Sequence, residues 1–599
     1  MNETGRGISR LARLWERTPR WTRLVIATVA LVVGIAVLLR PTASLGLLAL
    51  LIGAGLVVQG VVELADSAGR HAGESRFALL TTAVSALWVA AGVFVLVFPG
   101  LTVGLIAVIV GVGLVVSGVL SAARVFRRRR TVDARIADGA FGVASVVFGV
   151  LALAWPDVTL LVVSVVFGAR LIIGALSVAW RTLRPRPTTN ATQPGPFRRW
   201  ARTGVAILTV AASVALGLAS GALHGGTVPV DDFYASPRTV PDGPGHLIRS
   251  EPFTRGVPAD ARAWRILYTT TRGDGSPATA SGLVVVPRSG SGSWPLIAWD
   301  HGTTGYARTC APSLLDQPFE SGALFVLPDV IEQGWALVAT DYIGLGTPGP
   351  HPYLIGKDSA YASLDAVRAS RELRQADVGT KTVAWGHSQG GGAALWTGAV
   401  AERYAPDVSL SGVAALAPAA NLPSLVEHLP DVTGGSIFAS FAVAAYTADY
   451  PDVTYRRYVR PGAEPIVRAM AGRCLSNTDA LVSVLDAVGL GADPRIFAQD
   501  PTTGPFGARL EENVPPATVT VPTLVAQGAA DTLVVPSAQA AYVRQACAAG
   551  ESIDYRTFEG LDHVPLVEAD SPLVPQLVRW TTDRFDAKPA APGCTTRTF

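Results

Sequence analysis

The sequence predicts two folds in series: an N-terminal α-helical transmembrane bundle of about seven helices, then an α/β domain with an inserted helical cap. Three observations predict this. Almost every long apolar run lies before residue 225. After residue 260, short strand patterns alternate with helical ones. One of those strands, Thr382–Trp385, runs through Gly386-His387-Ser388-Gln389-Gly390 into a small-residue helix pattern.

Seven apolar segments can be read, at roughly 22–39, 44–64, 77–98, 101–122, 138–154, 157–179 and 203–222. A helix of about 20 apolar residues crosses the hydrocarbon core. The segments repeat. Pro41, Pro99 and Pro156 open similar runs, and Gly53, Gly111 and Gly168 hold the same place within them, with Gly60 matching Gly118. The first six helices therefore read as three helical hairpins whose glycines suit close helix packing. This pattern resembles the acid-resistance membrane protein family (HdeD-like) over about 40–180.

Charge orients the bundle. Arginines concentrate at 6–20, at 127–130 and at 181–202, and with seven spans all three regions fall on one side. By the positive-inside rule that side is cytoplasmic, so everything after residue 225 is expected outside the cell membrane. The net charge of +3 argues against nucleic-acid binding. Arg170, within an apolar run, is a functional candidate by position, though pairing within the bundle explains it equally well.

The expected boundaries are 1–21 cytoplasmic, 22–224 transmembrane, 225–260 an extended lead-in, 261–422 and 518–599 the α/β domain, and 423–517 a cap. Strands are expected at Trp264–Thr270, Ser281–Val286, Pro295–Trp299, Trp335–Thr340, Thr382–Trp385, Gly412–Ala417, Thr523–Gln527 and Asp554–Phe558. Helices are expected at Ser359–Gln375, Gln389–Tyr404, Ser537–Ala548 and Leu573–Phe585.

Strand, Gly-x-Ser-x-Gly turn and helix are what a nucleophile elbow requires, with Ser388 as nucleophile. The base must be a histidine. Of eight, seven are set aside by position, and His387 adjoins Ser388 and would point away from it. His563 remains, just after the last expected strand, where the base of an α/β-hydrolase sits. The acid should follow the strand before, which selects Asp531 over Asp562, because Asp562 adjoins His563 and cannot easily face its ring. For the oxyanion hole, Gln389 follows the nucleophile. The second N–H should come from Asp300–Gly305, with Thr303 favoured and Gly302 or Thr304 open. The apolar run Ile437–Tyr446 in the cap could gate apolar substrate or pack the cap's own core.

Asp341-Tyr342-Ile343-Gly344-Leu345-Gly346, His351-Pro352-Tyr353, Leu364–Arg368, the elbow and Cys310–Ser313 together resemble the secretory lipase family of the fungal lipase A type, over roughly 228–590. The resemblance implies an α/β-hydrolase that cleaves carboxylic esters, with Ser388, Asp531 and His563 as nucleophile, acid and base. It also implies disulfides Cys310–Cys474 and Cys547–Cys594. The cysteines alone leave three pairings open. The chain departs from the family in its membrane half and in carrying His387 where fungal members usually have an aromatic residue.

The expected protein is a membrane-embedded, extracytoplasmic serine hydrolase of lipid or other esters that needs no cofactor and no metal. Two other readings stay open. One is acyl transfer to a cell-envelope alcohol. In the other, a stress or transport protein works through its membrane repeats and the hydrolase is ancillary.

Overall fold

A computed structural model describes chiefly residues 19–39, 89–123, 132–183, 196–224 and 229–599, except 291, 477, 479 and 491–495. Contacts divide the chain into two compact units. One comprises Met1–Ala222 with Arg460–Ile466 and Val488–Ile496, and the other comprises Leu223–Val459, Val467–Ala487 and Phe497–Phe599.

In the first unit, α1 (Arg20–Leu39), α2 (Pro99–Ala123), α3 (Val132–Ala154), α4 (Pro156–Leu183) and α5 (Pro196–His224, whose last two residues lie past the unit's boundary) are long and apolar. All five are long and apolar enough to cross a membrane. The expected segments at 44–64 and, for most of its length, 77–98 lie outside the described residues. The least certain expected span, 138–154, is the C-terminal part of the longer helix α3. Helix α2 packs on α3, and α1 on α4.

The repeat glycines make these crossings. A Cβ on Gly118 would lie 2.7 Å from the Gly142 carbonyl oxygen, and one on Gly168 would lie 3.0 Å from that of Gly34. Only glycine lets the two backbones approach so closely, which is how apolar helices gain packing energy where lipid supplies no hydrophobic drive.

The second unit is built on a sheet that, among the described residues, has ten strands. In chain order its elements are β1 (Leu247–Phe253), β2 (Ala261–Thr271), β3 (Pro277–Pro287), β4 (Trp294–Asp300), α6 (Leu327–Glu332), β5 (Ala336–Ile343), α7 (Gly356–Glu372), β6 (Val378–His387), α8 (Gln389–Tyr404) and β7 (Leu410–Leu416). An insertion follows, with α9 (Leu422–His428), α10 (Gly435–Asp449), α11 (Tyr455–Tyr458), α12 (Glu464–Ala471), α13 (Ala480–Gly489) and α14 (Gly504–Glu512). The chain closes with β8 (Thr523–Gly528), α15 (Pro536–Ala548), β9 (Ile553–Phe558), α16 (Val574–Phe585) and β10 (Thr595–Thr598).

The sheet order is β1-β2-β3-β5-β4-β6-β7-β8-β9-β10. From β5 onward every pairing is parallel, and β1, β2 and β3 join antiparallel at one edge. Strands β4, β7 and β8 and the Val383–Trp385 stretch of β6 are mainly apolar because helices cover both faces. Trp385 of β6 is buried and donates its indole N–H to Thr581 Oγ1 of α16 at 3.0 Å.

The eight expected strands coincide with β2 to β9, with Trp335 and Ala417 each one residue beyond the observed ends. Two strands were not expected. The lead-in at 225–260 contains β1 and a short 3-10 turn, Asp232–Tyr234, whose two aromatic residues are buried. The other is β10, at the far edge.

Candidate active site

The site assembles at the C-terminal ends of four parallel strands, where an open α/β sheet positions its functional loops. Ser388 follows β6 and caps α8 with φ 59° and ψ −119°. This left-handed conformation is strained for a residue with a side chain, at about 1–3 kcal/mol. The surroundings hold it there. Its N–H donates to the Leu416 carbonyl, and its own carbonyl accepts from Ala419 N–H, each at 2.9 Å. Any Cβ on Gly386 would overlap the Gly390 carbonyl, and one on Gly390 would overlap the Asp300 carbonyl. The elbow glycines thus bring the start of α8 against the end of β4.

His563 follows β9. Its Nδ1–H donates to Asp531 Oδ2 at 2.8 Å. Asp531 follows β8, and its Oδ1 accepts the N–H groups of Leu533 and Val534 at 2.9 and 2.8 Å. The Gln527 amide donates to the same Oδ2 at 2.8 Å. His563 Nε2 is buried and has no partner, so the nitrogen that a base must present is free. Asp562 lies elsewhere: its Oδ1 accepts the N–H of Thr532 at 2.9 Å and of His563 at 2.8 Å.

The loop after β4 brings up the electrophilic side. The N–H of Gly302 donates to the Gly322 carbonyl at 2.9 Å, which leaves Thr303 the better placed second donor of the two. Gln389 opens α8, where N–H groups have no intrahelical acceptor. Thr303 borders the same small cavity as Ser388 and Gln389, and its hydroxyl meets Tyr353 OH at 3.0 Å. Leu425, Phe438 and Val534 also line the cavity, which measures about 20 Å³, room for a water.

Three supporting residues had no assigned role from sequence. His351 donates Nδ1–H to the Ile343 carbonyl at 3.1 Å, and its Nε2 accepts the Gln389 amide at 3.2 Å. Burial pushes its imidazole down to about 3, so it stays a neutral acceptor. His387 donates Nε2–H to the His563 carbonyl at 3.1 Å. Burial, with His563 alongside, holds it well below its usual range. The third is Gln527.

Two disulfides, Cys310–Cys474 and Cys547–Cys594, are formed. The first backs the oxyanion loop: Thr304 Oγ1 donates to the Cys310 carbonyl at 2.8 Å, and Leu475 N–H donates to the Thr304 carbonyl at 2.8 Å. The Asp341 motif is structural. Its buried carboxylate accepts from Ser281 Oγ at 2.6 Å and from Ser313 N–H at 2.9 Å, tying β3, β5 and the segment after Cys310. Among the described residues, no cluster of metal-ligating side chains occurs.

Residues 320–593 match the family model Secretory lipase. Residues 25–88, 83–143 and 140–218 match the Short repeat of unknown function (DUF308) in three successive copies. Among curated proteins, the chain is 26% identical over 394 residues to a Mycobacterium tuberculosis protein named a probable inactive lipase, covering 60% of this chain and 83% of that one. It is 24% identical over 401 residues to Lipase 6 of Candida albicans, covering 61% and 83%. Among solved structures, Candida antarctica lipase A aligns at 21% identity with a TM-score of 0.51, over 62% of this chain and 90% of that one. The C-terminal part has the α/β-hydrolase fold.

Proposed function

We propose that this chain is a membrane-tethered, extracytoplasmic serine hydrolase that cleaves lipid esters through Ser388, Asp531 and His563. A carboxylic ester hydrolase of lipase type is what the family matches support. Because one relative is named inactive, the reading rests on one observation of this chain. His563 is held on Asp531 at 2.8 Å with its Nε2 buried and free, the arrangement a general base needs.

In this reading Ser388 Oγ attacks the ester carbonyl while His563 Nε2 takes the hydroxyl proton. Asp531 holds the imidazole tautomer and stabilises the imidazolium. The N–H groups of Gln389 and Thr303 receive the tetrahedral oxyanion, and each such donor contributes about 3–4 kcal/mol. Collapse expels the alcohol, protonated by His563. Water, deprotonated by His563, then releases the acid and regenerates Ser388.

Two features support an oxidising, outer compartment: both disulfides are formed, and the arginine-rich loops favour the opposite side. The lipid substrate is supported by the apolar cavity lining and by tethering to the bilayer.

Full-length protein in its membranes, treated with a fluorophosphonate and digested, is expected to carry the label on Ser388 alone. Absence of label, or a label on another serine, would sink the triad. A C-terminal phosphatase fusion is expected to be active. An inactive fusion, with one in the 181–202 loop active, would place the hydrolase on the inner side.

A further inference from the structure

Helix α13 (Ala480–Gly489) is built inside out. Its inward face carries Val482, Ser483 and Asp486, all buried, and the Asp486 carboxylate accepts from Arg473 at 2.8 Å. Its outward face carries Leu481, Val484, Leu485 and Val488, which are 60%, 48%, 59% and 70% exposed. These four stand at helical i, i+3, i+4 and i+7 spacing and form one stripe without a charge. A helix that covers a soluble domain buries such a stripe and turns its carboxylate to water.

We propose that this stripe docks into the surface of the same bilayer that holds the N-terminal helices, and that it sets the hydrolase mouth against lipid. The tether selects this occupant: only eight residues lie between His224, the end of α5, and Phe233, the first buried aromatic of the hydrolase half. That stretch spans at most about 30 Å fully extended, so the hydrolase stays near the bilayer that holds α5. The four-residue apolar face of this helix is then suited to the headgroup–acyl boundary, where interfacial helices bury one side.

The cap and the oxyanion loop share an anchor with this helix. Cys474, bonded to Cys310, lies six residues before it. Lipid contact on α13 would therefore act on the segment that backs Thr303 and, resting on the proposed lipid hydrolysis, would favour substrate drawn from the bilayer.

The test uses full-length protein reconstituted in phosphatidylcholine vesicles. All four native cysteines are in disulfides, so a bimane at Leu485→Cys reports one place. Doxyl-labelled lipid is expected to quench it several-fold more than a bimane at the exposed Arg403→Cys, at the far end of α8. Equal quenching at both positions overturns the proposal. Equal quenching together with label-to-label transfer that rises with protein density would assign the face to a second copy instead. A variant with serine at 481, 484, 485 and 488 is expected to hydrolyse a soluble butyrate ester at the parent rate and a bilayer-embedded long-chain ester several-fold more slowly. An equal loss on both esters would make the face structural and defeat the proposal. If no ester is cleaved by the parent, the quenching arm still decides, and only the hydrolase reading fails.

Discussion

Asp531 and Asp562 stand on neighbouring loops, after β8 and after β9, yet only Asp531 holds the His563 ring, with Oδ2 2.8 Å from Nδ1. Asp562 is held by the backbone N–H groups of Thr532 and His563. The two carboxylates therefore differ in role: one holds the imidazole, and the other holds the loop that carries it.

Substitution should separate them. Ser388→Ala and His563→Ala are each expected to lower turnover by about a million-fold, near 8 kcal/mol of barrier. Asp531→Asn should cost less, about ten-thousand-fold, because it disturbs the tautomer and leaves the base in place. Asp562→Asn is expected to lower stability modestly and keep most activity. Ester hydrolysis rates of folded, purified variants check this. A severe loss at Asp562 with little at Asp531 would exchange their roles.

Gln527 donates its amide to Asp531 Oδ2 and to the Val534 carbonyl, at 2.8 and 3.1 Å. Gln527→Met removes both bonds at similar volume. The expected result is about a ten-fold to hundred-fold fall in kcat with KM little changed, since a bond that orients the acid acts on the transition state and not on substrate binding. Unchanged kcat would make this amide a purely structural filler of the β8 end.

Much of this site was legible because its order follows chain order. Each catalytic candidate sits just after an apolar strand, and those strands announce themselves as runs such as Thr523–Gln527. The supporting contacts were not legible. His387 meets the carbonyl of His563, 176 residues away, and Gly302 loses its N–H to Gly322 because a 3-10 turn happens to fold back there. Strands β1 and β10 escaped for a different reason. Both are edge strands of polar sequence, Leu247–Phe253 and Thr595–Thr598, that gain their place from backbone pairing with β2 and β9. Little apolar periodicity marks them in advance. In the membrane half the glycine register was legible, because close helix packing needs glycine at fixed positions such as Gly118 and Gly168.

The Cys310–Cys474 bridge should matter for rate as well as stability. Gly305 has φ 144°, and a Cβ there would collide with Cys310 Sγ, so the loop that carries Thr303 is packed directly on the disulfide. Cys310→Ser with Cys474→Ser is expected to cost about 2–5 kcal/mol of stability. It should also lower kcat several-fold at temperatures where the protein stays folded. The matched pair at 547 and 594, which has no contact with this loop, should cost stability alone. Thermal unfolding and kcat measured side by side distinguish the two bridges. Equal effects on kcat would remove the loop-backing role.

Stability should fall as pH rises from about 4 to about 7, and Asp358 is one cause. It opens α7, is buried, and accepts the Gly273 N–H at 3.1 Å. Burial, with Asp449 nearby, pushes its carboxyl up to about 7, although Arg272 lies 3.8 Å away and partly offsets this. The folded protein thus binds a proton that the unfolded chain has already released above the ordinary carboxylate value. When the folded state holds more protons, stability declines with pH across the window between the two values, and is level below and above it. Asp358→Asn keeps an acceptor for Gly273 and removes the charge. The variant is expected to match the parent in Tm near pH 4 and to exceed it by a few degrees near pH 8. A variant less stable than the parent near pH 8 would mean that Asp358 is ionised and productively paired with Arg272, which contradicts the burial argument.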